Sequence, residues 1–227
     1  MTKVTWLGHA SWLIETDRHR ILLDPFLTEN PSATTKPEDF QNVSHVLVSH
    51  GHFDHVADAA QIIKANDATL ITNFEIAQWF GEKHGIEGAI GMNLGGGVDT
   101  EFGHVKMIPA LHSSMLPDGS DGGNPAGFLL TLGDARVYFA CDTAMFSDMK
   151  LYAGGVDLAV LPIGDLFTMG IDDSIQAINL IEPKAVLPCH YGTWPPIAQD
   201  VDRWADRVEK ETNAAPVVLQ VGGSFEL

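Results

Sequence analysis

The chain has 227 residues, of which 45% are hydrophobic and 19% charged, and its formal net charge is −17. That is enough apolar matter for a substantial core and excludes a disordered or fibrous protein, while the acidic balance disfavours nonspecific contact with nucleic acid or anionic membranes. No apolar run approaches the roughly 20 residues that span a bilayer, no charged-then-apolar export signal opens the chain, and Cys141 and Cys189 are too few for a disulfide framework; a cytoplasmic protein with buried, reduced thiols is expected.

Val4 to Leu7, Ser11 to Glu15 and Arg20 to Asp24 read as three short strands with tight connections, an antiparallel meander ended by Pro25. From Phe26 to Asn42 the composition is that of a surface loop. The run His45 to Ser49 is a buried strand. Ala57 to Ala65 has a helical stripe, Thr69 to Thr72 is a strand, and Asn73 caps a helix that Gly85 ends after His84. This alternation implies helices packed on sheet faces.

Strands resume at Val105 to Leu111, and a Gly, Asp and Pro-rich loop spans Met115 to Pro125. Phe128 to Leu132 and Ala135 to Ala140 form a hairpin around Gly133-Asp134. A helix near Ala144 to Leu151, a strand at Leu158 to Leu161, a helix from about Asp173 to Ile181 and a strand at Ala185 to Cys189 follow. Ile197, Val201, Trp204 and Val208 mark a last amphipathic helix, and Val217 to Val221 reads as the closing strand. The order suggests one domain, residues 1–227, made of two similar β-rich halves: an α/β (α+β) sandwich of two sheets with helices on its outer faces.

Three imidazoles and a carboxylate crowd into His50-Gly51-His52-Phe53-Asp54-His55, directly behind Val46-Leu47-Val48. Imidazole and carboxylate are the usual ligands of zinc and similar divalent ions. His50 and His52 can turn to one ion, and Asp54 and His55, at the entrance of the next helix, can address a second. Two half-built sites need further ligands. His112, Asp142 and His190 each follow an apolar run directly, where a strand emerges at a sheet edge. Read alone, Asp142 would also suit a helix N-cap. Cys141 and Cys189 each precede such a residue by one and should face the opposite way.

His-x-His-x-Asp-His, then a distant His112, Asp142-Thr143 and the late His190 resemble the metallo-β-lactamase superfamily over the whole chain, in the family order. Trp6-Leu7-Gly8-His9-Ala10-Ser11, Gly123-Asn124-Pro125-Ala126-Gly127, Leu161-Pro162-Ile163-Gly164 and Phe167-Thr168-Met169-Gly170 are similar to a branch called metal-dependent hydrolases, related to L-ascorbate-6-phosphate lactonase. The resemblance implies a four-layer αββα sandwich. It implies that His50, His52 and His112 hold one metal, that Asp54, His55 and His190 hold another, and that Asp142 bridges them. The family more often has Gly where this chain has Cys141.

Two ions roughly 3.5–4 Å apart can share a hydroxide that attacks a carbonyl carbon or a phosphorus. The expected activity is therefore metal-dependent hydrolysis of a small ester, lactone or phosphoester. Zinc is the first expectation for both ions, with Mn, Fe, Co or Ni also suited to the ligands. Asp54 is expected to orient the water. His9 is expected beside the metals as an acid or oxyanion stabiliser touching substrate or leaving group. His19, His45, His84 and His104 read as surface or structural. The loops at Asn124 to Gly127 and Phe167 to Gly170 read equally as pocket walls and as turns, as Trp194 does as wall or core. A nucleic-acid phosphodiesterase of the same fold is disfavoured by the charge, and a flavodiiron oxidoreductase by the histidine at His52 and the missing flavin domain. A non-catalytic metal-binding protein is the remaining alternative. A small-molecule substrate with no nucleic-acid or membrane partner is expected, and a homo-oligomer is left open.

Overall fold

The computed structural model describes residues 2–227. Its first half runs β1 (Lys3–Gly8), β2 (Ser11–Glu15), β3 (Arg20–Leu23), β4 (His45–Leu47), α1 (Phe53–Val56), α2 (Ala59–Asn66), β5 (Thr69–Asn73), α3 (Phe74–His84) and β6 (Ile90–Met92). The second runs β7 (Gly97–Thr100), β8 (Gly103–Pro109), β9 (Ala126–Leu132), β10 (Ala135–Phe139), α4 (Met149–Ala153), β11 (Leu158–Pro162), α5 (Ile171–Ile181), β12 (Ala185–Cys189), α6 (Val201–Glu211), β13 (Ala215–Pro216) and β14 (Ser224–Glu226).

The strands form two seven-stranded sheets, ordered β14-β1-β2-β3-β4-β5-β6 and β13-β12-β11-β10-β9-β8-β7. Each sheet begins as an antiparallel meander, β1 to β3 or β7 to β10, and continues through parallel strands. The parallel strands are joined through helices, as a parallel connection requires.

Alternation along the strands produces the layers. Val137 and Phe139 of β10 face the core shared by the two sheets, together with Trp12, Leu47 and Phe128. Tyr138 and Ala140 face the other way, toward Met149, Ile175, Ile178 and Trp204 of α4, α5 and α6. On the first sheet Leu22 and Val46 turn outward to Ile62, Ile63, Ile76 and Phe80 of α2 and α3. Three apolar seams between four layers make the expected αββα sandwich. Cys141 and Cys189 lie buried in the seam between the sheets, as the alternation predicts.

The cap at Asn73 forms as predicted. Its side chain accepts from the Ile76 N–H, and Gly85 closes the helix in the left-handed region at φ 63°. Elsewhere the expectations need correcting. The stretch from Phe26 to Asn42 is no mere surface loop: Phe26, Leu27 and Phe40 are buried, and Asp58 accepts from the N–H groups of Leu27 and Thr28. The helix expected over Ala144 to Leu151 begins only at Met149. Ile197 lies in a separate 3-10 turn, Pro195–Ile197, because Pro195 and Pro196 prevent continuous helix. Val217 to Val221 pack on the core without forming a strand, and the chain closes instead on β14, paired with β1. The short strands β6 and β7 carry little alternation and were not foreseen.

Among the described residues no helix is long and apolar enough to cross a membrane.

Candidate metal centre

All seven candidate ligands sit just beyond the carboxyl ends of strands or in the helix that follows. His50 and His52 follow β4, Asp54 and His55 lie in the single turn of α1, and His112, Asp142 and His190 follow β8, β10 and β12. Open sheets place ligands beyond these strand ends because the connecting loops converge there. Asp142 caps no helix.

One oxygen is central. Asp142 Oδ2 lies 3.0 Å from His190 Nε2, 3.4 Å from His55 Nε2, 3.6 Å from His112 Nε2 and 3.9 Å from His50 Nε2. Asp54 Oδ2 lies 3.7 Å from His190 Nε2 and 3.8 Å from His55 Nε2. His52 approaches through its other nitrogen, with Nδ1 3.0 Å from His50 Nε2.

The donors fall into groups whose atoms lie within 4.8 Å of one another: His50, His52 and His112; Asp54, His55 and His190 with His9; and, drawing on both sets, His50 and His55 with Asp24. His55 Nε2, both ring nitrogens of His190 and Asp142 Oδ1 are buried with no hydrogen-bond partner. Buried polar atoms without partners are costly, and a divalent ion at the cluster would satisfy Nε2 of His55 and of His190, the nitrogens that face Asp54 and Asp142. The donor set fits such an ion.

The surrounding protein sets the tautomers. Asp24 Oδ2 accepts from His55 Nδ1 at 2.8 Å and from the Ser49 hydroxyl at 2.6 Å, while Oδ1 accepts from the Ser49 N–H at 2.7 Å. With its proton committed to Asp24, the Ser49 hydroxyl accepts from His50 Nδ1 at 3.0 Å. Both imidazoles therefore keep a proton on Nδ1 and turn Nε2 to the cluster as the atom a metal would take, the support usual for metal-binding histidines. Asp24 was missed in the sequence, although it follows Leu22-Leu23 at a strand end just as His112 and Asp142 follow theirs.

His9 lies against the cluster but not in the cavity. It is fully buried, its Nε2 donates to Asp54 Oδ2 at 3.0 Å, and its Nδ1 accepts from the Thr193 hydroxyl at 2.9 Å. Burial, and then neighbouring His190, pull its pKa down to about 4, so the ring is neutral and holds this tautomer. Both His9 nitrogens are used within the protein, and the ring is not among the residues that line the cavity above the cluster.

Electrostatics follow the crowding. Burial lowers His50 well below the usual imidazole value. At His55 and His190 burial also opposes charge, but Asp142 and its neighbouring carboxylates outweigh it; His55 rises well above its ordinary value and His190 rises to about 9. Burial alone would raise Asp54 and Asp142, yet the surrounding imidazoles hold both well below the carboxylate range.

Backbone strain gathers here. His9, Asp24, Cys141 and His190 all adopt left-handed backbone, with φ between 45° and 55°, and are four of the eight non-glycine residues that do so among the described residues. Cys141 holds φ 53°, a conformation that glycine adopts without steric cost and a side chain does not. Gly164 answers a different demand: a Cβ there would sit 2.2 Å from the His190 carbonyl oxygen. Thr143 ties the pieces together. Its hydroxyl accepts from the Leu111 N–H, and its carbonyl accepts from the Met169 N–H, linking Asp142 to the His112 and Phe167 segments.

Above the cluster opens a cavity of about 530 Å³. His52, Asp54, His112, Asp142 and His190 form its polar floor. Its walls are Phe53, Met115, Leu116, Pro117, Phe167 and Trp194, with Ser113 as the one neutral polar side chain. Trp194 and the Phe167 loop thus wall the pocket, whereas the Asn124 loop supports it from behind through Asn73, which donates to the carbonyls of Gly122 and Asn124. His45 is buried with its ring against Phe102, a structural role.

A family model described as the beta-lactamase superfamily domain matches residues 19–191. A UPF0173 metal-dependent hydrolase of Thermus thermophilus is 45% identical over 212 residues, 93% of each chain. One from Pyrococcus horikoshii is 41% identical over 235 residues, the whole of both. Among solved structures, the metallo hydrolase Igni18 of Ignicoccus hospitalis is 32% identical and superposes with a TM-score of 0.90, covering 100% of this chain and 99% of that one. YhfI of Bacillus subtilis, a metallo-beta-lactamase fold protein, covers 100% of both chains at TM-score 0.78 and 14% identity, a likeness of fold alone. The chain belongs to the metallo-β-lactamase superfamily, and within it to the UPF0173 metal-dependent hydrolases.

Proposed function

We propose that this hydrolase works through a dinuclear centre and cleaves a small ester, lactone or phosphoester. In this reading His50, His52 and His112 hold one ion, Asp54, His55 and His190 hold the second, and Asp142 spans both, in a single domain over residues 1–227. The supporting observation is Asp142 Oδ2, set 3.0–3.9 Å from four imidazole nitrogens drawn from both groups. Zinc suits these ligands, as do Mn, Fe, Co and Ni. Two such ions polarise an electrophilic oxygen and acidify water.

The chain's own residues do the rest. Asp54, on the cavity floor, accepts a hydrogen bond from the incoming water and orients it. His9 holds Asp54 Oδ2 from behind and acts as a positioning residue, itself fixed by Thr193. Asp24 and Ser49 hold the Nδ1 protons of His55 and His50, so that Nε2 of each ring is the atom left to bind a metal. The apolar walls exclude bulk water and so strengthen the electrostatics of the floor. The substrate is a small molecule met in the cytoplasm. A nucleic-acid phosphodiesterase fits less well, because no Lys or Arg is among the residues lining the cavity and the net charge is −17. Assay of metal-loaded protein on carboxyl esters, lactones, phosphoesters and oligonucleotides, each with a chelated control, tests the reading. Chelator-sensitive turnover of a small substrate is expected; turnover confined to oligonucleotides, or none, would refute it.

A further inference from the structure

The cavity over the cluster is unevenly furnished. Every ionisable side chain in it belongs to the floor, and all of these are His or Asp. Anionic substrates such as phosphate monoesters are ordinarily gripped by Arg or Lys as well as by metal. Here Asp54 and Asp142 face them instead. The nearest cation in an adjoining cavity, Lys83, is tied to Asp118 at 3.0 Å. A sugar fares no better, since its hydroxyls would be desolvated against walls whose one neutral polar side chain is Ser113.

The walls suit the opposite kind of molecule. Phe53, Met115 and Phe167 are large apolar side chains left 50%, 63% and 54% exposed around the mouth. Grouped exposure of this kind marks a binding surface. Trp194 stands in the same wall, its ring 6.1 Å from that of Phe53 and tilted 39° to it. Phe53 and Pro117 also border a second cavity of about 520 Å³, lined further by the apolar Val56, Ala57, Ala60 and Trp79 and by the polar Glu29, Lys83, His84 and Asp118. Apolar surface therefore continues outward from the cluster over a shared ridge.

Resting on the hydrolase reading above, we propose that the substrate is an uncharged carboxylic ester or lactone bearing an apolar arm. Its carbonyl sits over the His and Asp floor. Its arm lies between Phe53, Met115, Phe167 and Trp194, with longer arms crossing the Phe53–Pro117 ridge into the second cavity. In the reaction, the oxygen of water bonds to the carbonyl carbon. The single carbon–oxygen bond to the alcohol breaks, its electron pair leaving on the alcohol oxygen. That oxygen takes one of the water's protons, and the other is released as the acid product ionises.

Metal-loaded protein tests this with p-nitrophenyl alkanoates from acetate to decanoate, the matching γ-lactones, and p-nitrophenyl phosphate with its bis ester. Turnover per unit concentration should rise about fourfold per methylene until the cavity fills, vanish with chelator, and exceed that of the phosphate esters throughout. Phe167→Ala should cost the long members about tenfold more than it costs the acetate. A second readout needs no catalysis: 2-alkanones of increasing length should quench tryptophan fluorescence with the same rise in affinity, an effect lost in Trp194→Ala. Chain-length independence in both series, or preference for the phosphate esters, overturns the proposal and leaves the hydrolase reading standing. No chelator-sensitive turnover of any substrate defeats the hydrolase reading and the choice of ester with it; a rising alkanone series would then still uphold the apolar arm, and a flat one would overturn that too.

Discussion

Asp24→Asn replaces a carboxylate oxygen by an amide while keeping shape and volume. In the wild-type protein Asp24 is fully buried and accepts three hydrogen bonds, two from Ser49 and one from His55 Nδ1. The asparagine oxygen can keep the Ser49 N–H. Its NH2 group then meets the Ser49 hydroxyl, which can rotate to accept, and His55 Nδ1, which can accept only by giving up its proton. His55 would carry that proton on Nε2, the atom 3.4 Å from Asp142 Oδ2 and 3.8 Å from Asp54 Oδ2. The lone pair that should meet a metal is lost. Losing an outer partner of a metal-bound histidine typically costs about 10–100-fold in metal affinity, and losing a charged hydrogen bond costs about 1.5–3 kcal/mol of stability. Calorimetric titration of the variant should show the Asp54, His55, His190 site weakened by that factor. Thermal melts should show a lower Tm with the fold retained by circular dichroism. Metal affinity equal to wild type in a folded variant would refute the tautomer argument.

Three other outcomes follow from the geometry. His9→Ala frees Asp54 Oδ2 and empties a fully buried position; kcat should fall at least tenfold with KM little changed, and His9→Asn, which can still donate to Asp54, should recover part of it in steady-state assays. Asn73→Ala removes the α3 cap and two bonds to the Gly122 and Asn124 carbonyls; it should cost about 1–2 kcal/mol, and hydrogen exchange should show faster opening of residues 115–125. In the metal-free protein His190 has its pKa raised to about 9, by carboxylates that outweigh the cost of burial, against about 6.5 unfolded. Its contribution to stability is thus complete below about pH 6.5 and lost as pH rises through 9. Chelated protein should melt lower at pH 9.5 than at pH 6.5 by this route, and metal uptake near neutrality should release protons, measurable in weakly buffered titrations.

The candidate metal centre is legible in the sequence because its residues obey two rules visible in one dimension: four candidate ligands crowd the segment from His50 to His55, and the other three directly follow apolar runs. The core strands and long helices are legible for a related reason, since burial on alternate or helical positions leaves a pattern. Asp24 satisfies the strand-end rule as well, but followed by Pro25 it reads as simple chain termination. Its role depends on Ser49 and His55, which only the fold brings to it. His9 shows the same limit from the other side. Its motif marks it as a site residue, yet whether its ring points to substrate or to Asp54 depends on Thr193, 184 positions away. The strands β6, β7 and β14 are short edge pieces defined by backbone pairing, not by side-chain pattern. Val217 to Val221 has the pattern but forms no strand, although the Val217 N–H donates to the Val186 carbonyl of β12.

The central claim is the pair of ions sharing Asp142. Isothermal titration of rigorously metal-free protein with Zn, checked by elemental analysis after dialysis, measures it directly. The account predicts two ions per chain in the wild-type protein and at most one retained by a folded Asp142→Ala variant. Saturation at one ion per chain in the fully active wild-type protein, or two ions retained by the variant, would contradict it.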